Sequence, residues 1–316
     1  MLGSSLLDDV LDRTVIGGYT NVGYAVRSRF WDDHDLQPMD GRTVVVTGAT
    51  SGLGLAAATG FAQLGASVWL VARDPERGED ARALVAERSR GARTELELCD
   101  LSDQTAIRDL GRRLTEAVPR LDVLVNNAGV LCPQRSETAD GIETAFAVNV
   151  LAGHLMTRLL AGSLAAAAPG RIINVSSGGM YAQRLRADDL QTERGDYDGT
   201  AVYARTKRAE VILTQLWAER LRGVVVHAMH PGWADTPGVS SSLPTFYRLT
   251  RPLLRTAAQG ADTIVWLGSA DEPARTSGGF WHDRRRRPVN LLPGTRESSE
   301  DRQTLWAECE RLTGAA

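Results

Sequence analysis

Short runs rich in valine and isoleucine alternate along this chain with longer segments of helical period, and this alternation constrains the fold most. Near-continuous apolar strands joined by helical crossovers form parallel sheets that are covered by helices on both faces. We therefore predict an α/β fold with a doubly wound parallel sheet of the Rossmann type. Strands are predicted at residues 42–47, 67–72, 94–99, 122–126, 171–175, 224–229 and 279–282, and the first crossover helix at 53–64.

The length and composition suit one large domain with extensions. A chain of 316 residues with 43% hydrophobic residues can bury a full core. We place the α/β domain at residues 41–290, an N-terminal arm at 1–40 and a C-terminal tail with a short helix at 291–316. The arm has apolar residues at helical spacing followed by aromatic residues. It is interpreted as a packed arm, with an interfacial membrane contact or a flexible tail as alternatives.

Charge and cysteine content exclude several function classes. The net charge of -3 argues against a nucleic-acid partner, and the basic run at residues 284–287 is left unassigned. Three cysteines, far apart and odd in number, indicate neither a disulfide framework nor a metal site. The first twelve residues lack Lys and Arg, unlike a secretory signal, and no apolar run is long enough to span a membrane. We expect a cytoplasmic protein.

A glycine-rich loop follows the first predicted strand and precedes a helix. It reads Gly48, Ala49, Thr50, Ser51, Gly52, Leu53, Gly54. Glycines in such a loop permit a tight turn and a close backbone approach, and the N-terminus of the helix offers free N–H groups to a pyrophosphate. The loop therefore predicts a dinucleotide site that includes Gly48, Thr50, Ser51, Gly52, Leu53 and Gly54.

The end of the second strand bears on the choice of cofactor. Rossmann folds often place a carboxylate there against the adenosine ribose, but this chain has Arg73. An arginine can accommodate a 2′-phosphate, so NADP(H) is favoured over NAD(H), with Arg77 as a possible second contact. Alternatively, Arg73 is only an exposed residue at the start of a helix.

Lys207 is the only lysine in a chain with thirty-five arginines, and it follows Tyr203 by four residues. Four-residue spacing places both side chains on one face of a helix. A nearby ammonium favours the phenolate and so lowers the tyrosine pKa, which suits a general acid or base. The alternative is an ordinary amphipathic helix, but the strong bias against lysine favours a chemical role.

In sequence order, these motifs resemble the short-chain dehydrogenase/reductase family, and within it the retinol-dehydrogenase-like enzymes. The resemblance spans residues 41–290. It rests on 47–54, Asp100-Leu101, 126–129, Asn149, 174–177, Tyr203 with Lys207, Pro231-Gly232 and Thr236.

The resemblance implies a role for each catalytic residue. Ser177 would bond the substrate oxygen, and Tyr203 would exchange a proton with it. Lys207 would hold the nicotinamide ribose and lower the tyrosine pKa, while Asn149 would anchor a water leading to solvent. Ser176 could exchange roles with Ser177, and Asn149 could be an ordinary helix residue.

The resemblance also implies cofactor contacts at the ends of the later strands. Asp100 would bind the adenine amino group and Thr236 the carboxamide, although Asp100 could instead serve loop and cap chemistry. Trp233 could stack on substrate or simply pack. The cofactor residues so implied are Asp100, Leu101, Asn127, Ala128, Gly129, Tyr203, Lys207, Pro231, Gly232, Trp233 and Thr236.

Along the sequence, Ser177 and Tyr203 are separated by more than the dozen or so residues usual in the family. The extra segment, 180–200, is charged and contains two glycines, so we interpret it as a lid-like insert over the substrate pocket.

The sequence thus predicts an NADP-dependent oxidoreductase that acts on a carbonyl or alcohol of a small hydrophobic substrate. The resemblance also implies a homo-oligomer through the helices bearing Asn149 and Tyr203. Alternatives are a non-catalytic NADP(H) sensor or scaffold and a nucleotide-sugar epimerase or dehydratase.

Overall fold

The protein forms one eight-stranded sheet flanked by helices. A computed structural model describes residues 8, 11, 14–89, 91–236, 238, 244–292 and 294–314. The strand order is β3-β2-β1-β4-β5-β6-β7-β8, in which only the β7–β8 pair of these described strands is antiparallel. The strands are β1 Thr43–Thr47, β2 Ser67–Ala72, β3 Thr94–Leu98, β4 Val123–Asn126, β5 Gly170–Val175, β6 Val224–Met229, β7 Gly279–His282 and β8 Arg285–Arg287. The predicted doubly wound parallel sheet is confirmed.

Helices connect the parallel strands, and side chains cap most of them. Asp74, Asp103 and Asp198 accept hydrogen bonds from first-turn N–H groups of the helices that they precede. The helices are α1 Val15–Tyr19, α2 Asn21–Arg27, α3 Gly52–Gln63, α4 Pro75–Arg88, α5 Gln104–Ala117, α6 Thr144–Ala165, α7 Gly199–Arg220, α8 Pro244–Thr250, α9 Ala257–Ser269 and α10 Ser299–Leu312.

Apolar side chains fill the space on both faces of the sheet. Along β1, Val45 belongs to the core shared with α5, α6 and α7, while Val44 and Val46 belong to the core shared with α3 and α9. Leu305 and Cys309 of α10 are fully buried in the first of these cores. Helix α10 is therefore packed into the body of the protein.

Helix α6 is long and apolar. By length and composition alone it could cross a membrane, but most of that stretch is buried inside the protein. Its early part, Ala147–Leu151, is a π-helix. Such turns are rare and occur often at functional sites. We interpret α6 as a core helix, and Asn149 lies within its π turn.

The described part of the N-terminal arm packs against the body. Arg27 of α2 is buried and donates hydrogen bonds to Asp8 at 2.6 Å and to Asp283 at 2.7 Å. Asp283 lies in the two-residue turn between β7 and β8, where it and Arg284 have positive φ angles of 51° and 57°. Burial of these charges against one another fixes the arm to the end of the sheet.

Strand β8 was not predicted from the sequence. It occupies the basic run and pairs with β7 through Arg285, Arg286 and Arg287. Asp8 of the arm accepts a hydrogen bond from Arg287 at 2.8 Å and one from Arg285 at 2.6 Å. These partners, distant in the sequence, allow a run of arginines to form an edge strand.

Candidate active site

The loops that follow the strands surround a cavity of about 780 Å³ at the carboxyl edge of the sheet. This is where open α/β sheets bind their ligands. All of the predicted site residues except Asn149 line it: Gly48, Thr50, Ser51, Gly52, Leu53, Gly54, Arg73, Asp100, Leu101, Asn127, Ala128, Gly129, Ser177, Tyr203, Lys207, Pro231, Gly232, Trp233 and Thr236.

The glycine-rich loop is packed so tightly that side chains would not fit at two positions. A Cβ atom at Gly54 would lie 2.3 Å from the Gly48 carbonyl oxygen, and Gly48 itself has a positive φ of 65°. Ser51 is the N-cap of α3, but its side chain makes no capping hydrogen bond. The first turn of α3 therefore faces the cavity without a side-chain cap, as an anion-binding helix end should.

Asn127 joins the loop after β4 to the loop after β1. Its Nδ2 donates to the Thr47 carbonyl at 2.8 Å and to the Gly48 carbonyl at 3.3 Å, and its backbone N–H donates to Thr47 Oγ1 at 3.0 Å. These bonds hold the two strand ends between which a dinucleotide would lie. Asn127 thus supports the cavity floor as well as lining it.

Arg73 and Asp100 lie opposite each other at the far end of the cavity. The Arg73 guanidinium is 4.0 Å from Asp100 Oδ2, and its side chain is 78% exposed. The other carboxylate oxygen, Oδ1, accepts hydrogen bonds from the Ser102 backbone N–H at 2.9 Å and hydroxyl at 2.7 Å. One oxygen of Asp100 therefore shapes the loop, and the other remains on the side of Arg73.

Two adjacent serines at the end of β5 have different partners. The buried Ser176 hydroxyl donates to the Lys207 carbonyl at 2.7 Å and so ties β5 to α7. Ser177 lines the large cavity together with Tyr203 and lowers the pKa of its phenol, and the Ser177 hydroxyl accepts a hydrogen bond from the Gly179 N–H at 3.2 Å. The geometry favours Ser177 over Ser176 as the partner of Tyr203.

Lys207 projects from α7 into the buried end of the same cavity. Its ammonium donates to the Val175 carbonyl at 2.9 Å and to Glu210 Oε1 at 2.8 Å. The Nζ atom lies 5.6 Å from the centre of the Tyr203 ring, and a Cβ added at Gly129 would lie 3.2 Å from it. The sole lysine therefore has a closely fitted position beside the tyrosine.

Burial and neighbouring charges set the protonation of this group. Burial raises the pKa of Tyr203, Lys207 and Ser177 oppose that rise, and Glu210 adds to it. The Lys207 ammonium thus lowers the pKa of Tyr203, as predicted, but burial raises that pKa by more. Burial acts to lower the pKa of Lys207, because it disfavours the charged form. The nearby Glu210 acts in the opposite direction and keeps the pKa of the ammonium above its usual value.

Glu210 is a site residue that the sequence interpretation missed. Burial raises the pKa of its carboxyl group to about 7, although Lys207 lowers it. A glutamate three residues after a lysine has the spacing of a helical ion pair, which could have indicated the contact. On an exposed helix, however, this pattern is commonplace.

Asn149 lies beneath the cavity instead of lining it. Its Oδ1 accepts from the Val130 N–H at 2.8 Å, and its Nδ2 donates to the Val130 carbonyl at 3.0 Å and to Thr206 Oγ1 at 2.9 Å. The side chain therefore fixes the loop after β4 against α7. Its predicted water-anchoring role stays a prediction.

The loop after β6 rests on the N-terminal arm. Tyr19 accepts a hydrogen bond from the Trp233 N–H at 2.8 Å through its carbonyl, and its ring packs edge-on to the Trp233 indole at 6.4 Å. A Cβ at Gly178 would lie 2.5 Å from the same tyrosine ring. The arm, interpreted from the sequence as packed, thus supports both the loop after β6 and the chain beside Ser177, but the sequence patterns did not indicate these particular contacts.

The insert is fixed beside the mouth of the cavity. Tyr197 donates to Glu143 Oε1 at 2.9 Å, and the Glu143 N–H donates to Gln191 Oε1 at 3.1 Å. Gly179 and Thr200, at the two ends of the segment, line the cavity. The lid-like segment therefore has a folded base against the N-terminus of α6.

Comparison with known proteins agrees with this architecture. A family model described as short chain dehydrogenase matches residues 42–245. The chain is 41% identical to human dehydrogenase/reductase SDR family member 12, over 89% of each chain. It is 35% identical to human retinol dehydrogenase 12, over 87% of each.

A solved structure extends the similarity to the fold. The crystal structure of an uncharacterized protein from Mycobacterium paratuberculosis superposes with a TM-score of 0.71 at 28% identity. The match covers 90% of this chain and 97% of that one.

Proposed function

Because the chain belongs to the short-chain dehydrogenase/reductase family, we propose that it is an NADP-dependent oxidoreductase acting on a carbonyl or alcohol of a hydrophobic substrate. The observation that carries the proposal is the placement of Ser177, Tyr203 and Lys207 in the same cavity as the glycine-rich loop. A binding module has no evident use for a buried proton donor of this kind.

The cavity residues fit a dinucleotide. The backbone can approach a bound ligand closely for three reasons. Gly54 contacts Gly48 tightly, the start of α3 has no side-chain cap, and the small residues Ala128 and Gly129 line the cavity. Bound there, NADPH supplies a hydride for reduction. The backbone N–H groups at the start of α3 would hold the pyrophosphate, Asp100 the adenine and Lys207 the nicotinamide ribose.

Tyr203 and Ser177 would carry out the proton chemistry. Negative charge develops on the substrate oxygen during reduction, and the Ser177 hydroxyl would donate a hydrogen bond to it. Tyr203 would give its proton to that oxygen, and Lys207 would stabilise the resulting phenolate. The raised pKa of Tyr203 favours the protonated phenol, which is the form needed to start a reduction.

Apolar side chains support a hydrophobic substrate. Leu131, Val148, Ala204 and Trp233 line the cavity together with Tyr203. Apolar lining with a few placed polar groups is typical of sites for small organic ligands.

The proposal is tested by NADPH oxidation against a panel of ketones, aldehydes, steroids and retinoids. The wild-type protein should oxidise NADPH with at least one of them, and Tyr203→Phe should lower the rate by about 10²-fold or more. If the protein binds NADPH but turns over none of the panel, or if the variant is equally fast, a sensor role is favoured instead.

The cofactor preference has its own test. Arg73→Ala should raise KM for NADPH about tenfold, because a charge-assisted bond to the 2′-phosphate is lost, and leave KM for NADH unchanged. Exposed Arg112→Ala is the matched control. Equal KM values for NADPH and NADH in the wild-type protein would remove Arg73 from the site.

A further inference from the structure

Glu210 connects the active-site lysine to a second, much smaller cavity. Its Oε1 accepts the hydrogen bond from Lys207, whereas its buried Oε2 has no hydrogen-bond partner among the described residues. Leaving a buried carboxylate oxygen unpaired is costly, so such an atom calls for a partner such as water.

The second cavity is polar and has room for about one water molecule. It offers about 20 Å³ to the centre of a water molecule and shares no lining residue with the large cavity. A buried water needs at least about 10–15 Å³ and two to four polar partners. Within the described chain, four lining side chains each have a buried polar atom without a partner: Asn126 Oδ1, His154 Nδ1, Glu210 Oε2 and Trp217 Nε1.

His154 leads from this cavity towards the surface. Its second ring nitrogen, Nε2, is 2.8 Å from Glu310 Oε1 on α10. The imidazole is buried between the indoles of Trp217 and Trp306, each 5.1 Å away between ring centres, which fixes its position. The Glu310 side chain is 24% exposed, so its carboxylate can exchange protons with solvent.

We propose that a proton path runs from solvent through Glu310, His154, one water in the small cavity and Glu210 to Lys207. The path rests on the proposed function, since its purpose is to restore the proton that Tyr203 gives to the substrate. It leaves the protein beneath α10, separate from the substrate cavity.

The proton balance of the path is simple. Reduction consumes one hydride from NADPH and one proton from Tyr203, which Lys207 replaces. Glu210, in its protonated form, returns a proton to Lys207 and is itself reprotonated from the water. His154 takes a proton from Glu310 on one ring nitrogen and releases one from the other, so one proton enters from solvent per turnover.

The charges around the path suit proton exchange near neutral pH. The carboxyl group of Glu210, with a pKa of about 7, faces Lys207 and Tyr203 on its own helix. Burial lowers the pKa of His154, Glu310 opposes this and Arg158 adds to it. A neutral imidazole with one free nitrogen is the form that can relay a proton.

The first test measures proton delivery. In His154→Phe and Glu310→Gln, the steady-state kcat of carbonyl reduction should fall roughly tenfold, less than the about 10²-fold or larger loss typical of a direct acid–base group, and the solvent isotope effect on kcat should rise. The Kd for NADPH should not change. Glu308→Gln, on the same helix but paired with Arg311 at the surface, should behave as wild type. Unchanged rates and isotope effects in both path variants would overturn the proposal.

The second test needs no substrate and so separates this proposal from the proposed function. NMR of ¹⁵N-labelled histidine can follow the ring nitrogens of His154, assigned by their loss in His154→Phe among five histidines. Glu210→Gln should shift these resonances and their pH titration, while Glu219→Gln, exposed on the same helix, should not. If the resonances of His154 and their pH titration were the same in Glu210→Gln as in the wild-type protein, the proposed path would be refuted, even if the enzyme were active. A protein with this coupling but no carbonyl reduction would instead refute the function.

Discussion

Replacement of Asp283 by Asn should destabilise the protein and weaken cofactor binding together. Asp283 accepts hydrogen bonds from Arg255 at 2.5 and 2.8 Å and from Arg27 at 2.7 Å, and all three side chains are buried. Burial opposes its ionisation, yet His282, Arg255 and Arg27 hold the pKa of Asp283 well below its usual range. The carboxylate is therefore charged and compensates two buried guanidinium groups.

The size of the effect follows from this burial. Removing one partner of a buried ion pair costs about 3–5 kcal/mol, because it leaves an uncompensated charge. Arg255 also donates to the Gly18 carbonyl at 2.9 Å, the Thr20 carbonyl at 3.1 Å and the Pro231 carbonyl at 3.2 Å. Arg255 thus joins the arm to the loop after β6, and disturbance of this guanidinium should reach the proposed NADPH site.

Urea unfolding and NADPH titration by fluorescence measure the two consequences. We expect Asp283→Asn to lose about 3–5 kcal/mol of unfolding free energy and to bind NADPH more weakly. Asp188→Asn removes an exposed carboxylate 3.6 Å from Arg194 and should cost about 0–1 kcal/mol. If the two variants were equally stable, our view of Asp283 as the compensating charge of this network would be refuted.

Two further predictions concern acid stability and the glycine-rich loop. Burial opposes ionisation of Asp8, but Arg287 and Arg27 lower its pKa to about 2. The Asp8 carboxylate should therefore contribute on the order of 2 kcal/mol to the free energy of unfolding above about pH 4, and this contribution should disappear as the pH falls towards 2. Urea unfolding measured over this pH range without such a loss of stability would contradict the assignment. Gly54→Ala should cost about 1–3 kcal/mol and impair NADPH binding, because its Cβ would meet the Gly48 carbonyl. Helical Gly162 has open space around it, so Gly162→Ala should instead stabilise by about 0.5–1 kcal/mol, and thermal unfolding of both variants compares the signs.

The sequence predicted the sheet well because buried parallel strands have a clear apolar pattern. The predicted strand at residues 224–229 coincides with β6, and those near β1, β4 and β5 differ by one residue at an end. The glycine-rich loop was equally evident, since its glycines meet a steric requirement that the structure shows at Gly54.

Long-range charge pairing could not be predicted in the same way. Arg287 in β8 is buried because Asp8 reaches it across the chain, and no local pattern indicates that contact. The partnership of Glu210 with the small cavity depends on His154 from another helix and Glu310 from a third. The sequence pattern of a single helix does not show that side chains from three helices meet at one cavity.

The most direct test of the central claim is the turnover of Lys207→Arg. Lys207 is 2% exposed and its Nζ is enclosed by Val175, Glu210 and Gly129, so a larger guanidinium that hardly releases a proton does not fit its role. With the best carbonyl substrate and NADPH, we predict a folded variant whose kcat falls about 10²-fold or more, while exposed Arg112→Lys retains wild-type kcat. A Lys207→Arg protein that turns over as fast as wild type would contradict the account.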